Sequence, residues 1–214
     1  MKTTTSEIIE KFIERIPQLD YLKEKIINVV NEICLLKTNS NKIMLCGNGG
    51  SAADCEHMAG ELNKSFMLKR RITDDLFQKL LRLFPNDSEK FVNNLQQSIP
   101  CIPFTSFIST NTAYINDCDP DLLFAQLLYS LGQKNDILIC FTTSGNSKNV
   151  LYSAKLAKVL GIKIISFTGE NGGKIKTLSD INLNVPSECV YLIQELHIPL
   201  YHLICLAVEN ELFS

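Results

Sequence analysis

The first forty residues carry apolar side chains at helical spacing. Two segments, 6–16 and 19–37, each place their apolar positions on one face. Those positions are Ile8, Ile9, Phe12 and Ile13 in the first segment, and Leu22, Ile26, Val29, Val30 and Ile33 in the second. The pattern predicts two amphipathic helices ahead of the rest of the fold.

Short apolar runs of strand length follow, separated by segments with helical spacing. The runs lie at 42–46, 101–107, 136–141, 163–167 and 181–185. Alternating strands and helices are typical of a parallel sheet with right-handed crossovers, so the predicted fold class is α/β. The last segment, 190–212, is predicted as one helix with a leucine stripe. Its members are Leu192, Leu196, Leu200, Leu203 and Leu206. At 214 residues the chain is predicted to form a single domain.

A glycine-rich turn follows the first predicted strand. Gly47, Gly49 and Gly50 allow the chain to turn tightly, and Ser51 stands where a helix N-cap is expected. Loop amides and the unpaired N–H groups of the first helical turn can together bind an anion. Phosphate is the expected ligand. The glycine spacing is that of neither a dinucleotide fingerprint nor a nucleoside triphosphate loop, which favours a smaller phosphorylated ligand. Good packing alone also produces such turns.

The helix that follows this turn carries His57 and Glu61 four residues apart, and therefore on one face. That spacing suits a metal pair or an acid/base pair beside the phosphate. A solvated contact between neighbouring helical residues is the alternative explanation.

A second turn of the same design follows the strand at 136–141. Four of its six residues carry hydroxyl groups, namely Thr142, Thr143, Ser144 and Ser147. Together with the start of a helix that runs to Leu160, they can bind phosphate oxygens without Lys or Arg. Local capping explains one such hydroxyl more readily than four. Both turns are expected at the carboxyl edge of the sheet, where α/β proteins bind ligands.

Four motifs, in order along the chain, resemble the phosphoheptose isomerases among the sugar-isomerase (SIS) domain proteins. They are C-G-N-G-G-S-A-A-D at 46–54, the H-x-x-x-E that follows, T-S-G-N-S at 143–147 and I-Q-E-x-H-x-x-x-x-H at 193–202. The resemblance implies a single SIS domain over 1–214. Such a domain is a three-layer, flavodoxin-like sandwich with a five-stranded parallel sheet and extra N-terminal helices. The resemblance also implies a homotetramer with active sites at subunit interfaces, and conversion of sedoheptulose 7-phosphate to D-glycero-D-manno-heptose 7-phosphate.

The resemblance also assigns roles to matching positions. Implied substrate contacts are Asn48, Gly49, Gly50, Ser51, Glu61, Asn116, Asp117, Thr142, Thr143, Ser144, Ser147 and Gln194. The implied ligands of one zinc ion per site are His57, Glu61, Gln194 and His202. Glu61 and His202 are the implied acid/base pair. The chain departs from many relatives at Leu192, where they have Arg, and at Thr142, where they have Ser.

The proposed reaction requires these residue types. Moving a carbonyl between C1 and C2 needs a base for a carbon-bound proton, an acid for the oxygen, and stabilisation of the enediolate. Glu61 can serve as the base and His202 as the second proton carrier, while zinc would polarise the carbonyl. Within one helix, Gln194 and His202 lie about 12 Å apart, so one ion is expected to take ligands from more than one subunit.

Composition narrows the classes of function. The net charge of −2 offers no basic excess for nucleic acid, and no apolar run is expected to reach membrane-spanning length. The predicted location is the cytoplasm. Of the eight cysteines, Cys46, Cys140 and Cys205 lie in apolar runs, which favours reduced, buried thiols.

Residues 68–99 are predicted as a helical insertion, with helices at 74–84 and 88–97, that forms a lid or an interface arm. The basic run Lys69, Arg70 and Arg71 is interpreted as an exposed helix edge, with attraction of a dianionic substrate as the alternative.

Three further residues are given minor roles. His197 is expected to pack, in the core or at an interface, rather than bind a ligand. Asp54 and Glu56 are interpreted as charges at a helix start.

Two other classes of function are compatible with an SIS domain. One is a non-catalytic scaffold that binds a replication initiator protein, and the other is a phosphosugar sensor or lyase-like relative. The joint presence of the four implied ligand residues favours an enzyme.

Overall fold

The computed structural model describes residues 1–214, except for the side chains at positions 38 and 39. Its helices are α1 (Thr3–Arg15), α2 (Lys23–Asn39), α3 (Gly50–Asn63), α4 (Asp74–Leu83), α5 (Ser88–Asn94), α6 (Ile108–Asp117), α7 (Leu123–Leu131), α8 (Lys148–Leu160) and α9 (Val190–Phe213). Its strands are β1 (Ile43–Gly47), β2 (Cys101–Pro103), β3 (Ile137–Phe141), β4 (Lys163–Thr168) and β5 (Ile181–Asn184).

The five strands form one parallel sheet in the order β2-β1-β3-β4-β5. Every residue of β1 and β3 is buried, which explains why these strands appear in the sequence as continuous apolar runs. The predicted α/β class and five-stranded parallel sheet are confirmed.

Helices cover both faces of the sheet, and successive strand residues point to opposite faces. Ile43 and Leu45 pack into a core shared with α1, α2, α3 and α9. Met44 and Cys46 point the other way, into a core built with α7 and α8. The result is the predicted three-layer sandwich, with the additional N-terminal helices beside α9.

The predicted strand at 101–107 is mostly wrong. Only Cys101–Pro103 pairs with β1, and a 3₁₀ turn over Phe104–Ser106 follows. Thr105 and Ser106 both donate hydroxyl hydrogen bonds to Glu56. Glu56 therefore anchors this turn to α3, a role beyond that of a charge at a helix start.

The N-terminal helices and the insertion follow the sequence pattern, with shifted ends. A 3₁₀ turn at Pro17–Leu22 precedes α2, where one continuous helix was predicted. In the insertion, α4 and α5 end earlier than predicted, and an antiparallel bridge joins Arg71 to Gln96.

The closing helix α9 is 24 residues long and contains Pro199. It is long and apolar enough to cross a membrane, so the expectation that no run reaches that length was wrong. It packs against α1, α2 and α3, and Leu200 and Leu203 of the predicted stripe are buried in that core. Leu192 is 39% exposed and lies outside the core.

Candidate active site

Two loops meet at the carboxyl edge of the sheet, as the sequence predicted. β1 and β3 are neighbours, and their last residues Gly47 and Phe141 are paired. The loop at 47–51 leads into α3, and the loop at 142–147 leads into α8. Two helix N-termini therefore begin side by side, which is the arrangement that favours a bound anion.

The first loop depends on two glycines. Gly49 has φ +57° and ψ −122°, a conformation that residues with a Cβ rarely adopt. At Gly50, an added Cβ would overlap the side-chain amide of Gln194 on α9. Ser51 lies inside the first turn of α3 and Gly49 holds the N-cap position, so the prediction of Ser51 as the N-cap was wrong.

The second loop is rich in hydroxyls that contact one another. Thr142 Oγ1 and Ser147 Oγ are 3.3 Å apart, and the amide of Asn146 donates to Ser144 Oγ. Ser147 occupies the N-cap position of α8 without a capping hydrogen bond from its side chain. A cavity of about 210 Å³ opens beside Thr143 and Ser144. A larger cavity, of about 670 Å³, lies at the other edge of the sheet and is separate from both loops.

A pair of asparagines joins the two loops. Asn48 and Asn149 each donate a side-chain N–H to the other's amide oxygen, both at 2.9 Å. Asn149 also accepts a hydrogen bond from the amide of Val150. Sequence reasoning identified Asn48 but missed Asn149, although it follows the T-S-G-N-S motif by two residues.

Halfway along α3, three side chains from two helices cluster. His57 Nε2 lies 3.6 Å from Glu61 Oε1 and 3.3 Å from His202 Nε2 of α9. Glu61 is mostly covered, whereas the His57 side chain is 48% exposed. A single chain therefore forms only one side of this cluster, and the opposite side is exposed to solvent.

Two residues behind His57 were not predicted as site residues. The Tyr201 hydroxyl lies 2.8 Å from His57 Nδ1, and the Tyr201 side chain is 1% exposed. Asp54 is also buried, and desolvation raises its pKa to about 6 despite the opposing effects of His57 and the Tyr201 hydroxyl. Asp54 therefore has surroundings that its interpretation as a charge at a helix start did not include.

The other two histidines, His197 and His202, are both on α9 but lie in different environments. Burial lowers the pKa of His202, and His57 lowers it further, while Glu61 opposes both effects. His197 is fully buried against Phe141 and Phe167, and burial lowers its pKa to about 4. The predicted packing role of His197 is consistent with this position.

The four implied zinc ligands do not all meet within one chain. Gln194 lies against Gly50, two turns earlier on α9 than His202. Among the described residues, no group of three or more His, Cys, Asp or Glu side chains is placed so that it could hold a metal ion. Even so, the distance of 3.3 Å between the His57 and His202 Nε2 atoms matches that of two ligands of tetrahedral zinc, about 3.3 Å for bonds of about 2.0–2.1 Å. The two histidines therefore fit zinc as a pair, and the described residues of one chain do not supply the remaining ligands at this position.

Comparison with known proteins agrees with this geometry. Residues 114–196 match the SIS domain family model. The phosphoheptose isomerase of Aliarcobacter butzleri is 41% identical over 174 residues, which cover 81% of this chain and 78% of that protein. That of Sulfurimonas denitrificans is 36% identical over 218 residues, covering 100% of this chain and 98% of the relative. The chain belongs to the phosphoheptose isomerase family of SIS-domain proteins.

A solved structure extends this family relationship to the fold. The phosphoheptose isomerase from Neisseria gonorrhoeae superposes with a TM-score of 0.72 at 29% identity, covering 97% of this chain and all of that one. The SIS match includes the second loop and Gln194, whereas His57, Glu61 and His202 fall outside it. Those three residues lie within the phosphoheptose isomerase alignment that spans the whole chain.

The pair Asn116 and Asp117, expected to contact the sugar, lies at the end of α6. Asn116 Nδ2 donates to Asp117 Oδ1 at 2.7 Å, and both residues are exposed. Within the described part of the chain, no hydrogen bond joins this pair to either loop. That these two residues contact the substrate stays a prediction.

Proposed function

We propose that this protein is an aldose-ketose isomerase that converts sedoheptulose 7-phosphate into D-glycero-D-manno-heptose 7-phosphate. The observation that carries the proposal is the cluster of His57, Glu61 and His202 on the same helix pair that holds the first phosphate-type loop. A protein that only bound a sugar phosphate would not require this cluster.

The two loops are proposed to hold the phosphate. Backbone N–H groups at the starts of α3 and α8, with Ser51, Thr142, Thr143, Ser144 and Ser147, supply donors without a formal positive charge. The first loop is proposed to bind the same phosphate, with its conformation set by Asn48, Gly49 and Gly50. Binding energy from the phosphate can then position the reacting carbons, because that end of the substrate does not change during the reaction.

Glu61 is proposed as the base that moves a proton between C1 and C2. Its side chain is largely covered, and its carboxylate faces His57. His202 is proposed to transfer the second proton to or from the sugar oxygen. Its lowered pKa keeps the imidazole neutral at physiological pH, so that it can both accept and donate a proton.

One zinc ion per site is proposed, held by His57, Glu61, Gln194 and His202. When bound, zinc would polarise the sugar carbonyl and stabilise the negative charge of the enediolate. Because Gln194 and His202 are separated by two helical turns, we expect the ligand set to be completed across a subunit contact.

We therefore expect a homotetramer with active sites at subunit interfaces. The exposed face of His57 supports this expectation, since enediolate chemistry benefits from exclusion of water and one chain leaves that face open. The proposed location is the cytoplasm, and no nucleic-acid or membrane partner is expected.

The test is an assay of the purified protein on ketose phosphates of five, six and seven carbons. Formation of the aldose phosphate is followed by NMR, and metal content and oligomeric state are measured on the same sample. We expect turnover with the seven-carbon substrate. Glu61→Gln should lower kcat by about 10²–10⁴-fold, the usual contribution of a general base.

Glu195→Gln is the matched control, because Glu195 is an exposed carboxylate on α9. It should retain wild-type kcat. Turnover of only a shorter sugar would correct the substrate and keep the reaction class. No turnover of any of the three would contradict the isomerase proposal and favour a scaffold.

A further inference from the structure

Three aromatic rings contact the imidazole of His202. The rings of His57 and Tyr201 meet it edge-on, with interplanar angles of 82° and 75° and ring centroids 4.8 and 4.9 Å away. Phe66 is placed differently, because its ring is inclined by only 33° with the centroids 5.6 Å apart. That geometry is closer to offset stacking than to an edge-on contact, so Phe66 packs over a flat side of the imidazole.

A buried carboxylate holds Phe66 in this position. Glu209 accepts hydrogen bonds from three successive backbone amides, those of Phe66, Met67 and Leu68, at 2.8, 2.7 and 3.0 Å. Successive amides turned towards one anion form a backbone nest around it. The Arg70 guanidinium, with Nε 2.7 Å from Glu209 Oε1, is the counter-ion. Together these contacts form the Glu209 clamp.

The Glu209 clamp and His202 lie on one face of α9. Glu209 follows His202 by seven residues, which is within about 20° of two full helical turns and about 10.5 Å along the axis. Helical side chains incline towards the N-terminus, so the Glu209 carboxylate is directed back along α9 towards His202. The backbone that it binds is thereby held close to His202. Phe66 is half-buried and packs against both the core and the imidazole.

His202 depends on such packing to keep one orientation. Among the described residues, its one hydrogen-bond contact is that of Nε2 with His57 Nε2, at 3.3 Å, and its Nδ1 has none. His57 is different, since its Nδ1 also contacts the Tyr201 hydroxyl at 2.8 Å. The χ2 torsion of histidine is broad, so a ring with one such contact turns freely unless neighbouring groups pack against its faces. Phe66 therefore supplies by packing what His202 lacks in hydrogen bonds.

We propose that Phe66 is a positioning residue for the proposed isomerisation. Held by the Glu209 clamp, its ring packs on the His202 imidazole and keeps Nε2 directed towards His57. This role deepens the proposed function and rests on it for its catalytic meaning, because His202 is the proposed carrier of the second proton. A sugar oxygen exchanges a proton with His202 only while the ring nitrogen lies within hydrogen-bond distance of it.

The first measurement is the orientation of His202 itself. Crystal structures are determined for the full-length wild type, Phe66→Leu and Phe66→Ala, each treated with a chelator. The wild type should show Phe66 on the imidazole and the Nε2 atoms of His57 and His202 3.3 Å apart. In both variants the His202 ring should turn about χ2 or show a raised B-factor relative to Tyr201, because the flat ring that covered it is absent.

Steady-state kinetics with sedoheptulose 7-phosphate distinguish positioning from a purely structural role. Phe66→Ala should lower kcat by about 10–100-fold, the usual effect of losing a group that orients a site histidine, and leave KM within about twofold. Phe66→Leu should also lower kcat although thermal unfolding shows it to be folded, because leucine still fills much of the space against the core. Phe66→Tyr keeps the ring and should retain most of the activity.

Met67→Ala is the matched control, since Met67 is 72% exposed and the variant keeps the backbone amide that binds Glu209. It should leave the orientation of His202 and kcat unchanged. A His202 ring that keeps its orientation in both Phe66→Ala and Phe66→Leu, or a wild-type kcat in both, would overturn the inference. If Phe66→Ala does not fold, Phe66→Leu decides alone. If the ring turns as expected and the wild type converts no sugar phosphate, the proposed function fails and the orienting contact of Phe66 with His202 stands.

Discussion

Arg70 and Glu209 form a buried ion pair, with 2.7 Å between Arg70 Nε and Glu209 Oε1 and both side chains at most 1% exposed. Glu209 also accepts hydrogen bonds from the amides of Phe66, Met67 and Leu68. The guanidinium donates to the carbonyl oxygens of Glu61 and Leu62 as well. The interpretation of Arg70 as part of an exposed basic edge was therefore wrong.

This pair fixes the start of the insertion and the end of α3 to α9. Because Arg70 bonds to the backbone of Glu61, it also holds the segment that carries the proposed base. Replacing Arg70 by Met would leave the Glu209 carboxylate buried without its counter-ion. We expect a loss of about 3–5 kcal/mol in the free energy of unfolding, measured by denaturant titration.

Arg71→Met is the control for this variant, since the neighbouring side chain is exposed. It should change stability by less than about 0.5 kcal/mol. Equal losses in the two variants would mean that the buried pair contributes no more than a surface charge.

A second buried carboxylate makes stability depend on pH. Burial alone would raise the pKa of Asp136, but hydrogen bonds from Lys42, Asn41 and the Gln133 amide outweigh it and lower the pKa. A carboxyl group whose pKa is lower in the folded state stabilises the protein above its unfolded pKa, about 3.9. That contribution is lost as pH falls further, through the folded pKa.

Asp136→Asn should therefore be less stable than the wild type at pH 7, by about 1–3 kcal/mol, and the difference should shrink as pH falls from about 5 to 3. Denaturant titrations across that range measure it. Asp20→Asn, at an exposed aspartate, should show no such convergence. A gap between the wild type and Asp136→Asn that stays constant down to pH 3 would contradict this account.

The sheet could be predicted from the sequence because its central strands are buried on both faces. Such strands are unbroken apolar runs, so β1, β3 and β4 were located to within a residue or two. The strand at 101–107 was predicted too long because apolar residues continue past Pro103. What ends β2 is the bonding of Thr105 and Ser106 to Glu56, 49 and 50 residues away in the chain.

The site could be predicted only where its residues have a local signature. His57 and Glu61 share a helix face at a recognisable spacing, and the two loops have unusual compositions. Tyr201 lacks such a signature, because a tyrosine among leucines is indistinguishable from a core residue. Arg70 and Asp54 are exposed charges by any local rule, and only tertiary contacts bury them.

Gly50 and Gly60 lie on the same helix and should respond oppositely to alanine. A Cβ at Gly50 would overlap the Gln194 amide, whereas nothing lies within 4 Å of one at Gly60. Gly50→Ala should displace Gln194 and the first loop, and lower kcat/KM for the sugar phosphate by at least about tenfold. Gly60→Ala should raise stability by about 0.5–1 kcal/mol with unchanged kinetics.

Both glycine variants are measured by steady-state kinetics and thermal unfolding on the same preparations. Unchanged kinetics in Gly50→Ala would imply that the loop tolerates the overlap and that Gln194 has no role at this position. A destabilised Gly60→Ala would contradict the open space beside that residue.

Asn149 is expected to matter for substrate binding, although it has no place in the proposed chemistry. Its reciprocal hydrogen bonds with Asn48 hold the two phosphate-type loops together, at 2.9 Å in each direction. Asn149→Ala removes the hydrogen bonds to Asn48 and should raise KM by about tenfold, equivalent to about 1.4 kcal/mol. We expect kcat to change little, because the phosphate is bound equally in the ground and transition states. Asn149→Asp should raise KM further, since its carboxylate faces the expected phosphate.

Steady-state kinetics of both variants measure the effect on KM, with Asn94→Ala, at an exposed amide on α5, as the control. A lowered kcat at unchanged KM would instead place Asn149 with the reacting carbons, and equal KM values in all three variants would contradict a joined pair of loops.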